Sequence, residues 1–171
     1  MKHTKKLVLT ALFAALTFCA TFVMKIPTPT GGYVNLGDSF VLTSAWVLGS
    51  GYGIIAAALG SALADLLGGY PIYILPTFII KGLMAFVAWG LFRLIAIKKT
   101  FVSRIIGAIV AEIIMVGGYY LVEAVFLGYG FGGALVSVPA NAVQAVFGVV
   151  SGVLITEVLM NVKATQRFLN Q

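Results

Sequence analysis

Charge is what this sequence most conspicuously lacks. Only 9% of its residues are Asp, Glu, Lys or Arg, where a soluble domain carries about a quarter. With 61% hydrophobic residues and a mean hydropathy of +1.08, there is too little polar surface to face water. A soluble enzyme or binding domain is excluded, and the outer surface must face lipid. Cysteine occurs once, as Cys19 in an apolar run, which excludes a disulfide framework. Histidine occurs once, as His3, leaving no material for a histidine-based metal or catalytic site. The phosphate-binding GxxxxGK[ST] pattern is absent, so the chain cannot hydrolyse ATP by that route. HExxH and GxSxG are absent as well. No catalytic residue, metal ligand or cofactor is expected.

The formal net charge of +6 could suggest nucleic acid, but the placement of the basic residues argues for topology instead. Lys2, Lys5 and Lys6 precede the first apolar run, Arg93, Lys98, Lys99 and Arg104 cluster in one connection, and Lys163 and Arg167 lie in the tail. Basic residues flanking membrane spans mark the cytoplasmic side. Apolar runs read as six spans: Lys6 to Met24, Ser39 to Leu48, Tyr52 to Leu67, Ile74 to Ile97, Phe101 to Leu127 and Val136 to Val162. Pro27, Pro29, Pro71 and Pro139 fall at the boundaries, as helix breakers do. An even count puts both termini on the cytoplasmic face with nine of the eleven basic residues; Lys25 and Lys81 are the exceptions. The first run is too long for a cleavable signal and lacks a small-residue cleavage site. The expectation is an all-α integral membrane bundle of six transmembrane helices, one domain over residues 1–171.

Small residues on the first helix form two faces. Thr10, Ala14, Thr17 and Thr21 share one side, and Ala11 with Ala15 form a small-xxx-small pair on another. Such pairs let helices approach closely in lipid, either within the bundle or against a partner protein. In the third span Ala56, Gly60, Ala64 and Gly68 form a ridge that reads as internal packing.

Four of the five acidic residues, Asp65, Glu112, Glu123 and Glu157, fall inside spans, where a charge needs a partner or a watery cavity. Asp65 and Lys81 flank the "GGYPIY" connection at similar depth, which suggests a structural ion pair, with Lys81 directed at a ligand as the alternative. Glu112, Tyr119 and Glu123 lie on one face of the fifth span. Asn141 and Gln144 open the sixth just after Pro139. Carboxylate, phenol and amide groups converging in an apolar shell describe a small-molecule pocket, unless they serve only as hydrogen bonds between helices. The stretch "KIPTPTGGYVNLGDSF", residues 25–40, is longer than a simple connector needs. It reads as an external lid over residues 26–38, with Tyr33 and Asn35 covering a ligand and Asp38 capping the second helix.

Four segments carry a resemblance: "LTALFAALTF", "IPTPTGGYVNLGDSFVL", "GIIAAALGSALADLLGGYPIYILPTFIIKGLMA" and "VPANAVQAVFG". The chain resembles the substrate-binding S components of energy-coupling factor (ECF) vitamin transporters, in the branch with hydroxymethylpyrimidine and pyridoxine carriers. That resemblance implies a prokaryotic plasma-membrane protein that binds a vitamin in an outward-facing pocket capped by its first external loop. It also implies that Ala11 and Ala15 pack against a transmembrane scaffold subunit carrying two ATPases, and that the S component topples in the membrane to deliver its cargo. Asn141 and Gln144 match the family's ligand-contact positions best. The composite expectation is a non-enzymatic vitamin-binding subunit for a pyridoxine- or hydroxymethylpyrimidine-like heteroaromatic. Riboflavin and other vitamins remain open as cargo. The alternative is a self-sufficient ion-coupled carrier using Asp65, Glu112 and Glu123.

Overall fold

The structure, a computed structural model, describes residues 3–29, 31–95, 100–163 and 165–166. Of the basic residues used to orient the chain, Lys2, Lys98, Lys99 and Arg167 lie outside the described residues.

Apolar runs of this length cannot leave backbone groups unpaired in lipid, so they fold as helices. The order is α1 (His3–Val23), a two-strand ladder of β1 (Ile26–Pro27) and β2 (Tyr33–Val34), α2 (Asp38–Leu48), α3 (Ser50–Gly68), a 3₁₀ turn (Pro71–Tyr73), α4 (Ile74–Ile95), α5 (Thr100–Leu121) closing in a π-helical turn (Val122–Phe126), a short α6 (Gly130–Ala134) and α7 (Val138–Asn161). Five of these stretches are long and apolar enough to cross a membrane. The fold is an all-α membrane bundle.

The second crossing is as short as its apolar run, Ser39 to Leu48, leads one to expect. α2 has 11 residues, a rise of about 16 Å against a hydrocarbon thickness of about 30 Å. Its far end is nevertheless at the opposite side of the bundle from the lid. Gly49, with φ 78°, makes the left-handed break between α2 and α3 that a residue with a Cβ would resist. Just beyond it, the Tyr52 ring meets the ring of His3 at 6.1 Å and the Lys6 ammonium at 5.4 Å, both at the start of α1. The loop before α2 therefore descends through the outer half of the bundle and α2 completes the crossing. Nine of the 11 residues of α2 are buried, as they must be where non-helical backbone leads into the membrane interior and only protein can shield it.

Contacts sort the helix ends. Trp46 of α2 donates to the Ala88 carbonyl of α4 at 3.1 Å, Arg104 of α5 lies 5.1 Å from the Phe92 ring of α4, and Arg104 pairs with Glu157 of α7 at 2.5 Å. One end thus holds the starts of α1, α3 and α5 and the ends of α2, α4 and α7. The hairpin, the 3₁₀ turn and the π turn gather at the other. The core is built from α2, α4, α5 and α7, with Leu42, Met84 and Met115 fully buried. α1 packs outside it on α3. Gly60 makes this possible: a Cβ there would overlap the Ala14 carbonyl and stand 2.8 Å from Thr17 Cβ. The small-residue ridge of α3 is internal packing, with Ala56 and Ala64 fully buried.

Candidate functional site

The lid is a hairpin. Ile26 pairs with Val34 and Pro27 with Tyr33 in antiparallel register, and the turn is closed by Thr28 N–H to Gly32 O at 2.9 Å. Tyr33 projects inward: its hydroxyl donates to Asp65 Oδ1 at 2.6 Å and its ring lies 4.6 Å from that of Tyr70. Burial first, and the Asp65 carboxylate second, push the Tyr33 phenol well above its ordinary value, so it remains a donor. The Lys25 ammonium sits 4.1 Å from the Phe22 ring and 5.1 Å from the Tyr33 ring. These contacts tie the hairpin to the ends of α1 and α3.

Beneath the hairpin, Lys81 and Asp38 form a buried ion pair. Gln144 completes it, donating from Nε2 to Asp38 Oδ2 at 2.5 Å and accepting the Asn35 backbone N–H on Oε1 at 2.7 Å. One amide thus fastens the descending loop to α2 and α7. Two expectations are corrected here. Asp65 does not pair with Lys81, because the loop carries Asp38 down to the depth of Lys81 while Tyr33 occupies Asp65. Nor does Asp38 cap α2: the N-cap is Gly37 with no side-chain cap, and Asn35 makes the local turn instead, accepting the Gly37 N–H on Oδ1 at 2.8 Å.

Between hairpin and pair lies a cavity of about 30 Å³, lined by Tyr33, Asn35, Lys81, Tyr119, Glu123, Asn141 and Gln144 together with Asp65. Seven of the eight residues expected to meet a ligand thus converge on one space. Its volume suits one or two waters, far below the roughly 300–1,000 Å³ of pockets for drug-sized ligands, so a heterocycle enters only if the hairpin or the lining side chains move. Thr77 and Tyr119 share a hydrogen bond at 2.9 Å. Glu123 accepts from Ser137 and from Tyr73 at 3.3 Å.

Glu112 is the exception. It does not line this cavity but borders an apolar groove between α5 and α7 on the lipid side. A Cβ on Gly148 would overlap its carboxylate, and neither carboxyl oxygen has a hydrogen-bond partner. It shares a helical face with Tyr119 by spacing, but it sits two turns nearer the termini, behind Asp38. Sequence reasoning also passed over Ser61, Tyr73 and Thr77 as lining residues and left Thr21 as packing. The available signal was the polarity of Ser61 and Thr77 within otherwise apolar runs. On α1, Thr10, Thr17 and Thr21 are buried while Ala11 and Ala15 face outward. Among the described residues no group of three or more His, Cys, Asp or Glu side chains could hold a metal ion.

Comparison with known proteins supplies context for this geometry. The family model of the ECF-type riboflavin transporter S component matches residues 1–161. The thiamine precursor transporter HmpT of Lactococcus lactis subsp. cremoris strain MG1363 is 30% identical over 151 residues, covering 87% of this chain and 84% of that protein. An uncharacterized protein of Pyrococcus woesei is 37% identical over 134 residues, covering 77% of this chain and 86% of its own. A solved S component of a bacterial ECF transporter has a TM-score of 0.75 over 94% of this chain and 98% of that one. At 23% identity this is a likeness of fold.

Proposed function

The chain belongs to the family of ECF-type riboflavin transporter S components, multi-pass membrane proteins that bind vitamins and work with scaffold and ATPase subunits, and from that premise we propose that its cargo is a hydroxymethylpyrimidine-type thiamine precursor. The observation that carries this reading is the chemistry of the cavity. Its lysine is already neutralised by Asp38, and Asp65, Glu123, Asn141 and Tyr119 complete the lining. Such a wall favours a neutral or weakly basic heteroaromatic that donates hydrogen bonds over an anion. The relative named as a thiamine precursor transporter points the same way. Vitamin B6, the other cargo expected from the sequence, has no support among these relatives and is not carried forward.

In this reading the hairpin end faces outward and both termini are cytoplasmic, which the placement of the basic residues supports. The hairpin gates the cavity, and Tyr33, Asn35, Lys81, Tyr119, Glu123, Asn141 and Gln144 meet the ligand. The outward Ala11–Ala15 face docks on the scaffold, which carries two ATPases. The test is a calorimetric titration of the purified chain in detergent with the amino-hydroxymethyl-methylpyrimidine half of thiamine, with riboflavin, and with pyridoxine. The pyrimidine is expected to bind tightest. Riboflavin, favoured by the name of the matching family model, is the second reading, and tighter binding of riboflavin would replace the first.

A further inference from the structure

We infer that Thr21, Ser61 and Asp65 form a polar subsite on the α1–α3 wall of the cavity that receives a hydrogen-bond-donating substituent of the ligand, an exocyclic amine or a hydroxyl. This rests on the cargo reading above and assigns one of its contacts to helices outside the α4–α7 side. Thr21, Ser61 and Asp65 all line the cavity and are only 2%, 1% and 3% exposed. Thr21 Oγ1, Ser61 Oγ and Asp65 Oδ2 have no hydrogen-bond partner. Thr77, which shares a hydrogen bond with Tyr119, also stands near Asp65, but it makes no hydrogen bond to Oδ2.

The rest of the bundle shows how unusual this is. Buried helical hydroxyls normally return to a carbonyl one turn back on their own helix. Thr10 bonds Lys6 O, Thr17 bonds Phe13 O, Thr43 bonds Ser39 O, Ser44 bonds Val41 O and Thr156 bonds Gly152 O, all at 2.7–2.8 Å. Thr21 and Ser61 do not. An unpaired buried polar atom is destabilising, and three of them converge on one cavity. Thr21 packs directly against Gly37, where a Cβ would overlap its hydroxyl.

The atoms specify the chemistry. With Oδ1 taken by Tyr33, Asp65 Oδ2 can only accept while ionised, so the incoming group must donate. The two hydroxyls can donate or accept, which suits an amine or an alcohol. A phosphate or carboxylate here would meet a carboxylate, with Lys81 bonded to Asp38 and Lys25 held over Phe22.

The experiment is a set of binding isotherms on the purified full chain. The probes are the amino-hydroxymethyl-methylpyrimidine and two analogues, one with hydrogen in place of the amine and one with methyl in place of the hydroxymethyl. Wild type is expected to bind the parent probe about tenfold or more tighter than one analogue. Ser61→Ala and Thr21→Val should bind the parent about tenfold more weakly and that analogue as wild type does. Variants that keep both the affinity and the discrimination overturn the subsite while leaving the cargo reading intact. Wild type that ignores all three probes overturns the cargo reading, and the ligand-free melting temperature then decides the subsite. Removing unpaired hydroxyls should leave it unchanged or raised. A fall of about 3 °C or more, as for a lost internal hydrogen bond, would mean that these hydroxyls are satisfied within the protein and would overturn it.

Discussion

On the α4–α7 side of the cavity the polar groups, the Asn141 side chain apart, bond to one another. Lys81 is held by Asp38, Gln144 uses both ends of its amide, Thr77 and Tyr119 share a bond, and Glu123 takes Ser137 and Tyr73. On the α1–α3 side, Thr21, Ser61 and one oxygen of Asp65 bond to nothing. The two walls are equally buried, so burial does not explain the difference. Satisfied polar networks in a low-dielectric interior rigidify and specify a structure, and unsatisfied ones cost stability. The first wall therefore reads as a frame that sets where the loop and α2 sit, and the second as a surface completed by something else. Tyr33 ties the hairpin to the second wall, reaching the Asp65 oxygen that is satisfied.

Substitutions in the frame should have the largest effect. Asp38→Ala leaves the buried Lys81 ammonium without its carboxylate and should cost about 3–5 kcal/mol, read as a fall in thermal or denaturant stability in detergent. Adding Lys81→Met should recover most of that loss; if the double variant is as unstable as the single one, the frame does not depend on this pair. Next is Gly60→Leu, which forces a side chain into the Ala14 carbonyl and should cost about 3 kcal/mol through overpacking. It should also weaken ligand binding, because it displaces α1 and with it Thr21; full affinity would show that this wall is not needed.

Tyr33→Phe tests the link between the hairpin and the second wall. Losing a hydrogen bond to a carboxylate should cost about 1.5 kcal/mol and speed ligand release roughly tenfold, measured by stopped-flow fluorescence. An unchanged release rate would remove the hairpin from gating. The smallest effect on the isolated chain should come from Ala11→Trp, on a face that touches neither wall. Stability should stay within about 0.5 kcal/mol and ligand binding should be retained, while uptake by cells supplying scaffold and ATPase subunits is abolished. Undiminished uptake would disprove docking through this face.

Much of the site was legible because the cost of polarity in lipid is independent of fold. Tyr33, Asn35, Lys81, Tyr119, Glu123, Asn141 and Gln144 stand out against an apolar chain, and all seven line the cavity. Glu112 was grouped with them by helical spacing, which gives the face of a helix but not the depth at which a cavity ends. Ser61 and Thr77 were missed because a lone hydroxyl in a membrane helix ordinarily bonds its own backbone, and only the structure reveals that one of these two does not and the other reaches Tyr119.

By itself the sequence determined the apolar bundle, the break points at proline and glycine, the two faces of α1 and the membership of most cavity residues. Each of these follows from composition or from local periodicity, which a helix preserves whatever its neighbours do. The tertiary structure alone decided who pairs with whom. Asp38 rather than Asp65 meets Lys81 because the residues before α2 descend through half the bundle before the helix begins, and no local pattern encodes that depth. Which hydroxyls are left without partners was decided in the same way, by where distant helices meet.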